Sequence, residues 1–335
     1  MTMKLPGAQR LSGVLARRPR ASGGPVTEGD WRAAFASEPE EDRAVSRSLP
    51  QLGQPARLKA AGTASVIVGA LLLGFVLQFA GLSQITFARD QQLALDAFRF
   101  DLANATAPVG QVGSDGKLLP LGTPVALLEI PAIGVRDVVV EGTASGVTLA
   151  GPGHRRDTPL PGQVGASVVY GRQASYGAPF GAISSLSKGD TITATTGQGV
   201  AQYTVTDVRY TGDALPAAMK AGEGRLTLVS AAGLPFLPDS IVRVDARLTS
   251  TPVDSPGKVV GYPALNANEL TMQGDAGGWP LLLIGVVALF VTIGLFTISR
   301  RFWGRWQSWI VAVPTLIAFG TFTAQQVAVL LPNLL

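Results

Sequence analysis

Three stretches of this 335-residue chain carry no charged side chain: 60–88, 276–299 and 306–335. A helix needs about 20 apolar residues to cross the hydrocarbon core of a bilayer, so each stretch is long enough to span one. The expected spans have cores at 61–82, 279–296 and 309–330. A composition that is 47% hydrophobic and only 15% charged agrees with a membrane protein. Arg57 and Lys59 precede the first span, and Arg300, Arg301 and Arg305 fill the short connection between the second and third. Cytoplasmic loops are enriched in Lys and Arg, so the reading is a three-pass plasma-membrane protein with its N-terminus inside. Residues of about 90 to 275 then lie outside the cell.

The first span is too long for the apolar region of a signal peptide, and 59 polar-rich residues precede it. It is read as a retained anchor. The arm, 1–59, has the acidic run Glu38 to Asp42 and no sustained apolar period, and is expected to be disordered. Its Lys4, Arg10, Arg17, Arg18 and Arg20 suit contact with anionic lipid, so the bilayer is the first expected partner. Ala61, Ser65 and Gly69 form a small-residue stripe that would let the first span pack closely against another helix, within this chain or in a partner membrane protein. No basic stripe interleaved with aromatic residues exists, which argues against a nucleic-acid partner. The chain has no cysteine and one histidine, His154, so disulfides, thiolate metal sites and cysteine nucleophiles are excluded. A conventional zinc site is not expected either, and no cofactor is implied.

Between the spans the pattern changes twice. After the first span (60–85), Leu95, Phe98 and Leu102 recur at helical spacing, and a Gly- and Pro-rich linker follows, completing a segment at 86–124. From 125 to 249, short runs of alternating or β-branched residues are separated by turn signals: ALLEI, VRDVVVE, ASVVYG, DTITATT, AQYTVTDVRY, RLTLVSA and SIVRVDARL. These predict an all-β domain, as a barrel. In the last run Val242, Val244, Ala246 and Leu248 alternate with Ile241, Arg243, Asp245 and Arg247, so the even positions face the core. An outer linker at 250–276, a span at 277–299, a basic loop at 300–306 and a span at 307–331 complete the expected order.

Five motifs in that order carry a resemblance: LLEIPAIGV, VVVEGT, GPGHRRDTPLPGQVG, YGAPF followed by LSKGD, and RLTLVSAAG. Over 125–249 the chain resembles a sortase domain, closest to the actinobacterial type. The resemblance implies an eight-stranded barrel outside the membrane. Sortases join a surface protein's sorting motif to the cell wall or a pilin, with a cysteine nucleophile, a histidine and an arginine. Here the histidine position of the family's GH pair is Arg172, and the cysteine position of its LTLVTC strand is Ala231. The arginine position falls on Ile241, or on Ser240 with a one-residue slip. All three roles are vacant, and the resemblance implies a catalytically degenerate sortase.

Other residues around these positions have two readings. Tyr176, Pro179 and Phe180 either pack their loop or wall a peptide groove. Arg243 shares the face of Ile241 and either enters the groove or is a solvated face residue. Ser230 neighbours the nucleophile position, but adjacent strand residues point to opposite faces, so it is expected inside. His154, in its GPGH turn, is expected in a turn or at the surface. Arg172 is either an exposed or ion-paired arginine or a clamp for a carboxylate or phosphate. The expected function is an inactive sortase-like membrane protein whose outer barrel binds a peptide, a cell-wall component or a membrane-protein partner. Two rivals stand beside it: a cell-surface transpeptidase with rewired chemistry, and a structural subunit of a membrane complex.

Overall fold

The computed structural model describes residues 62, 69, 73–113, 115–303 and 305–335. The arm and part of the first expected span, with Ala61 and Ser65, lie outside the described residues. The chain is helical from 73, passes through a π-helical turn at Gln78–Leu82, and continues directly into α1, Ser83–Ala103. Phe98 is buried on its inner face.

Eight strands follow: β1 (Pro124–Ile130), β2 (Val135–Glu141), β3 (Gly153–His154), β4 (Gly165–Tyr170), β5 (Thr191–Thr196), β6 (Gly199–Arg209), β7 (Gly224–Leu234) and β8 (Leu237–Leu248). A single-turn helix α2, Ser145–Thr148, lies between β2 and β3. The strands close into a barrel in the order β1-β2-β3-β4-β7-β8-β6-β5. Closure leaves no free edge, which suits strands as short as these. Seven of the eight have a run in the sequence; the missing one, β3, is only two residues long and leaves no periodic trace. Val242, Val244, Ala246 and Leu248 all join the barrel core with Leu226, Leu228, Val125 and Ile192, as the alternation along β8 requires.

His154 is therefore not a turn or surface residue. It sits in β3, fully buried, paired with Val169 of β4. The stretch expected as an outer linker is also tied down rather than free. Val253 forms a parallel bridge with Gln163, and buried Glu269 receives two hydrogen bonds from Arg156, at 2.8 and 3.0 Å. The earlier linker likewise sends Leu119 into the barrel core.

Two further helices, α3 (Trp279–Phe302) and α4 (Arg305–Leu330), pair with each other, with Phe296 set against Trp309 at 4.9 Å. Among the described residues, the segments Ala276–Ser299 and Trp306–Leu330 are long and apolar enough to cross a membrane. Both leave most of their side chains outside the protein's own packing, as lipid-facing helices do. The top of α4 meets the barrel: Ala324 and Ala328 pack with Phe79, Phe87, Leu149 and Tyr176.

Candidate functional site at the end of β4, β7 and β8

Parallel pairing of β4 with β7 brings Tyr170 level with Val229, and antiparallel pairing of β7 with β8 sets Ala231 opposite Ile241. The positions matching the family's three catalytic roles thus meet at one end of the barrel. Arg172 follows β4 by two residues, Ala231 lies on β7 and Ile241 near the start of β8. Ser240 pairs with Ala232, one rung further along. Side chains alternate along β7, so Leu226, Leu228 and Ala232 face the barrel core while Val229 and Ala231 face out. Ser230 is fully buried and its hydroxyl donates to the Gly171 carbonyl at 2.9 Å. Arg243 is half-buried and paired across the ladder with Val229.

The outward face is covered by the chain itself. Beyond α4, Pro332 cannot continue the helical hydrogen bonding, and residues 331–335 run over the strand ends. Leu334 is fully buried and Leu335 nearly so, and both pack with Tyr170, Val229 and Ala231. The backbone of this segment is held at every step. Ser145 Oγ reaches the Leu331 carbonyl at 2.7 Å, Thr148 Oγ1 the Asn333 carbonyl at 3.0 Å, and the Gln173 amide the Leu334 carbonyl at 2.9 Å. Asn333 returns the contacts: its Nδ2 donates to the carbonyls of Thr143 (2.7 Å) and Leu270 (2.9 Å). Its amide donates to Gln273 at 3.0 Å.

Arg172 lies at the centre of this contact with no solvent exposure. One guanidinium nitrogen donates to the Leu335 oxygen at 2.9 Å and to Ser175 Oγ at 3.2 Å. The other donates to the Ser145 carbonyl at 3.0 Å and to Ser145 Oγ at 2.8 Å. Ser175 Oγ itself donates to the Leu335 oxygen at 2.6 Å. Arg172 is neither exposed nor paired with an acidic side chain among the described residues. Its partners are the Ser145 and Ser175 hydroxyls and the main-chain oxygens of Ser145 and Leu335. Burial pulls its pKa down to about 10, with Tyr176 acting in the opposite direction. The group stays charged at neutral pH and can hold oxygen acceptors, but it cannot exchange a proton there.

The loop after Arg172 is shaped by close approach. A Cβ at Gly171 would collide with the Phe180 ring, so only glycine lets the chain pass. Tyr176, Gly177 and Ala178 are consecutive left-handed residues, with φ of 47, 79 and 45°. For Tyr and Ala this is a strained conformation. It drives the Tyr176 ring into the helices, edge-on to Phe79 at 6.3 Å. Phe180 enters the barrel core, and Pro179 is buried beside it. Beside Ala231 an unfilled cleft of about 300 Å³ remains, lined by Gln173, Phe180, Ser184, Tyr210 and Pro235 among others.

Ser145, Ser175 and residues 331–335 were not legible as site residues in the sequence. The only available signal was Pro332 followed by a lone Asn333 at the end of an apolar run, a break where a span would otherwise simply stop.

Residues 128–234 match the family model of the sortase domain. The barrel is therefore a sortase-type domain. Similar solved structures include a sortase D5 transpeptidase from Clostridium perfringens, 22% identical, covering 48% of this chain and 99% of that one with a TM-score of 0.41. Sortase C-1 from Actinomyces oris is 26% identical, covering 38% of this chain and 75% of its own, with a TM-score of 0.34. Sortase E from Streptomyces avermitilis is 28% identical, covering 39% and 91%, with a TM-score of 0.34. A search of curated proteins found no match.

Proposed function

We propose that this chain is a non-catalytic, membrane-anchored sortase-type protein whose peptide-binding face is taken by its own residues 331–335. The observation that carries this reading is the seating of Leu334 and Leu335 against Ala231, with buried Arg172 hydrogen-bonded to the Leu335 oxygen. The sequence supports it independently: with no cysteine the chain offers no thiolate, and Arg172 offers no proton near neutral pH. The basic flanks of the apolar segments support a barrel outside the plasma membrane. There it acts as a rigid module carried on its helices. The cleft beside Ala231 is the place for a peptide or cell-wall ligand, and the helices are the place for a membrane-protein partner.

The test is a transfer assay with the purified full chain, a fluorescent sorting-type peptide and an amine acceptor. Wild type gives no transfer product, and neither does Ala231→Cys alone. A thiol with its reference pKa of about 8.5 is mostly protonated at neutral pH, and Arg172 cannot protonate the leaving amine. Turnover by the unmutated chain, with a covalent peptide adduct on Ser230, would overturn the proposal in favour of a transpeptidase with rewired chemistry.

A further inference from the structure

The β7–β8 hairpin ends in a tip that a water-soluble barrel would not carry. Leu234 pairs with Leu237 across the two-residue turn Pro235-Phe236. Leu234, Phe236 and Leu237 are 69, 43 and 74% exposed. Phe236 has a φ of 64°, a position where glycine or asparagine relieves strain, yet the chain places a phenyl ring there. Between Arg225 and Asp239 no residue is charged. A contiguous exposed apolar patch marks a surface that meets something other than water.

The surroundings indicate what it meets. The Phe236 ring stands edge-on to Phe79 at 6.1 Å. Phe79 belongs to the π-helical turn at the outer end of the first apolar stretch, where Val76 and Leu77 are 58 and 57% exposed. The tip therefore continues the apolar surface of a helix. Its base is fixed, because Gln173 Nε2 donates to the Gly233 carbonyl at 2.8 Å while the Gln173 amide holds the Leu334 carbonyl.

We propose that Leu234, Phe236 and Leu237 insert into the acyl–headgroup boundary of the membrane that the helices cross, giving the barrel a lipid contact of its own. This rests on the reading that α3, α4 and the helix around Phe79 lie in a bilayer. Apolar side chains at such a boundary bury roughly 5 to 10 Å deep, and Asp239, the first charged residue after the tip, sets the limit.

The absence of cysteine makes the test direct. The full chain carrying Leu237→Cys is labelled with a small fluorophore and reconstituted in liposomes whose lipids bear a nitroxide either near the headgroup or at mid-chain. Val287→Cys, on the exposed face of α3, and Val200→Cys are labelled as references. Val200 lies at the start of β6, next to the β5–β6 turn whose Gly197 abuts Ala107 beyond the far end of α1. The 21 residues of α1 set that turn roughly 30 Å from Phe79. The label at 237 loses about half or more of its emission to the headgroup-proximal nitroxide and less to the mid-chain one, as a side chain at this depth should. The label at 287 responds to the mid-chain nitroxide, and the label at 200 to neither. A label at 237 as unquenched as that at 200, with 287 quenched, overturns the insertion and points to a protein partner for the tip. An unquenched label at 287 overturns the membrane reading itself, and this inference with it.

Discussion

Arg172 and His154 are fully buried basic side chains of the barrel, and they are held in opposite ways. Arg172 has no acidic side chain against it among the described residues, so burial outweighs the opposing effect of Tyr176 and lowers its pKa. His154 has Nδ1 at 2.8 Å from a Glu141 carboxylate oxygen and Nε2 at 3.0 Å from the Pro159 carbonyl. Burial alone would lower its pKa, but the Glu141 charge and hydrogen bond, with the Pro159 carbonyl, bring it above 6.5. Folded His154 thus binds its proton more tightly than the unfolded chain does. Its contribution to stability is complete below pH 6.5 and is lost as pH rises through the raised value. His154→Gln leaves the Glu141 carboxylate buried without its cation, a loss of about 3 to 5 kcal/mol below that value. Thermal melts of both proteins from about pH 5.5 to about pH 9 should show the difference shrinking as pH rises. A difference independent of pH would mean that folding leaves the pKa of the histidine unshifted, and would overturn this reading.

At the scale of elements, the segment 331–335 behaves as an added strand-end cover rather than as a tail. Arg172 and Ser175 grip its last described oxygen, Asn333 ties it to the turns around Thr143 and Leu270, and Leu334 fills the space above Ala231. Hydrogen bonds to a charged donor contribute about 1.5 to 3 kcal/mol each in such settings. Arg172→Gln removes the two-pronged donor and should raise amide exchange across 331–335 by roughly 10- to 100-fold. Arg172→Lys, a single point donor on a flexible stem, should fall between them. Hydrogen exchange read by mass spectrometry checks this, and unchanged protection of 331–335 in both variants would make Arg172 a bystander. The strained turn at Tyr176 is part of the same cover, because its ring locks the top of α4 against the helix that carries Phe79.

At the scale of the whole molecule, barrel and helices share packing instead of hanging from one another by linkers. Arg156 clamps Glu269 on the approach to α3, and α4 delivers the segment that closes the β4–β7–β8 face. The arrangement carries a sidedness that can be measured. With residues of about 90 to 275 outside, a cysteine at Ser255 should react with an impermeant maleimide in intact cells, and one at Ser22 only after permeabilisation. The reverse pattern would invert the topology and place the barrel in the cytoplasm.

The sequence alone determined the all-β domain, because seven of its eight strands leave runs of alternating or β-branched residues between 125 and 249, and the resemblance implied the eight-stranded barrel. It also marked the two C-terminal apolar helices by their unbroken lack of charge, and motif order singled out Arg172, Ala231 and Ile241 or Ser240 as the positions on which the proposed loss of catalysis rests. What escaped it was whatever depends on contacts far apart in the chain. The two residues of β3 have no period to read, so the partner of His154 emerged only when Glu141 was brought beside it. Glu269 looked like a linker residue until folding set it against Arg156, 113 positions away. The occupant of the face around Ala231 was decided last and entirely by tertiary structure. Residues 331–335 look like the trailing end of a span, and only the return of α4 to the barrel sets them over a strand end 163 positions upstream at Arg172.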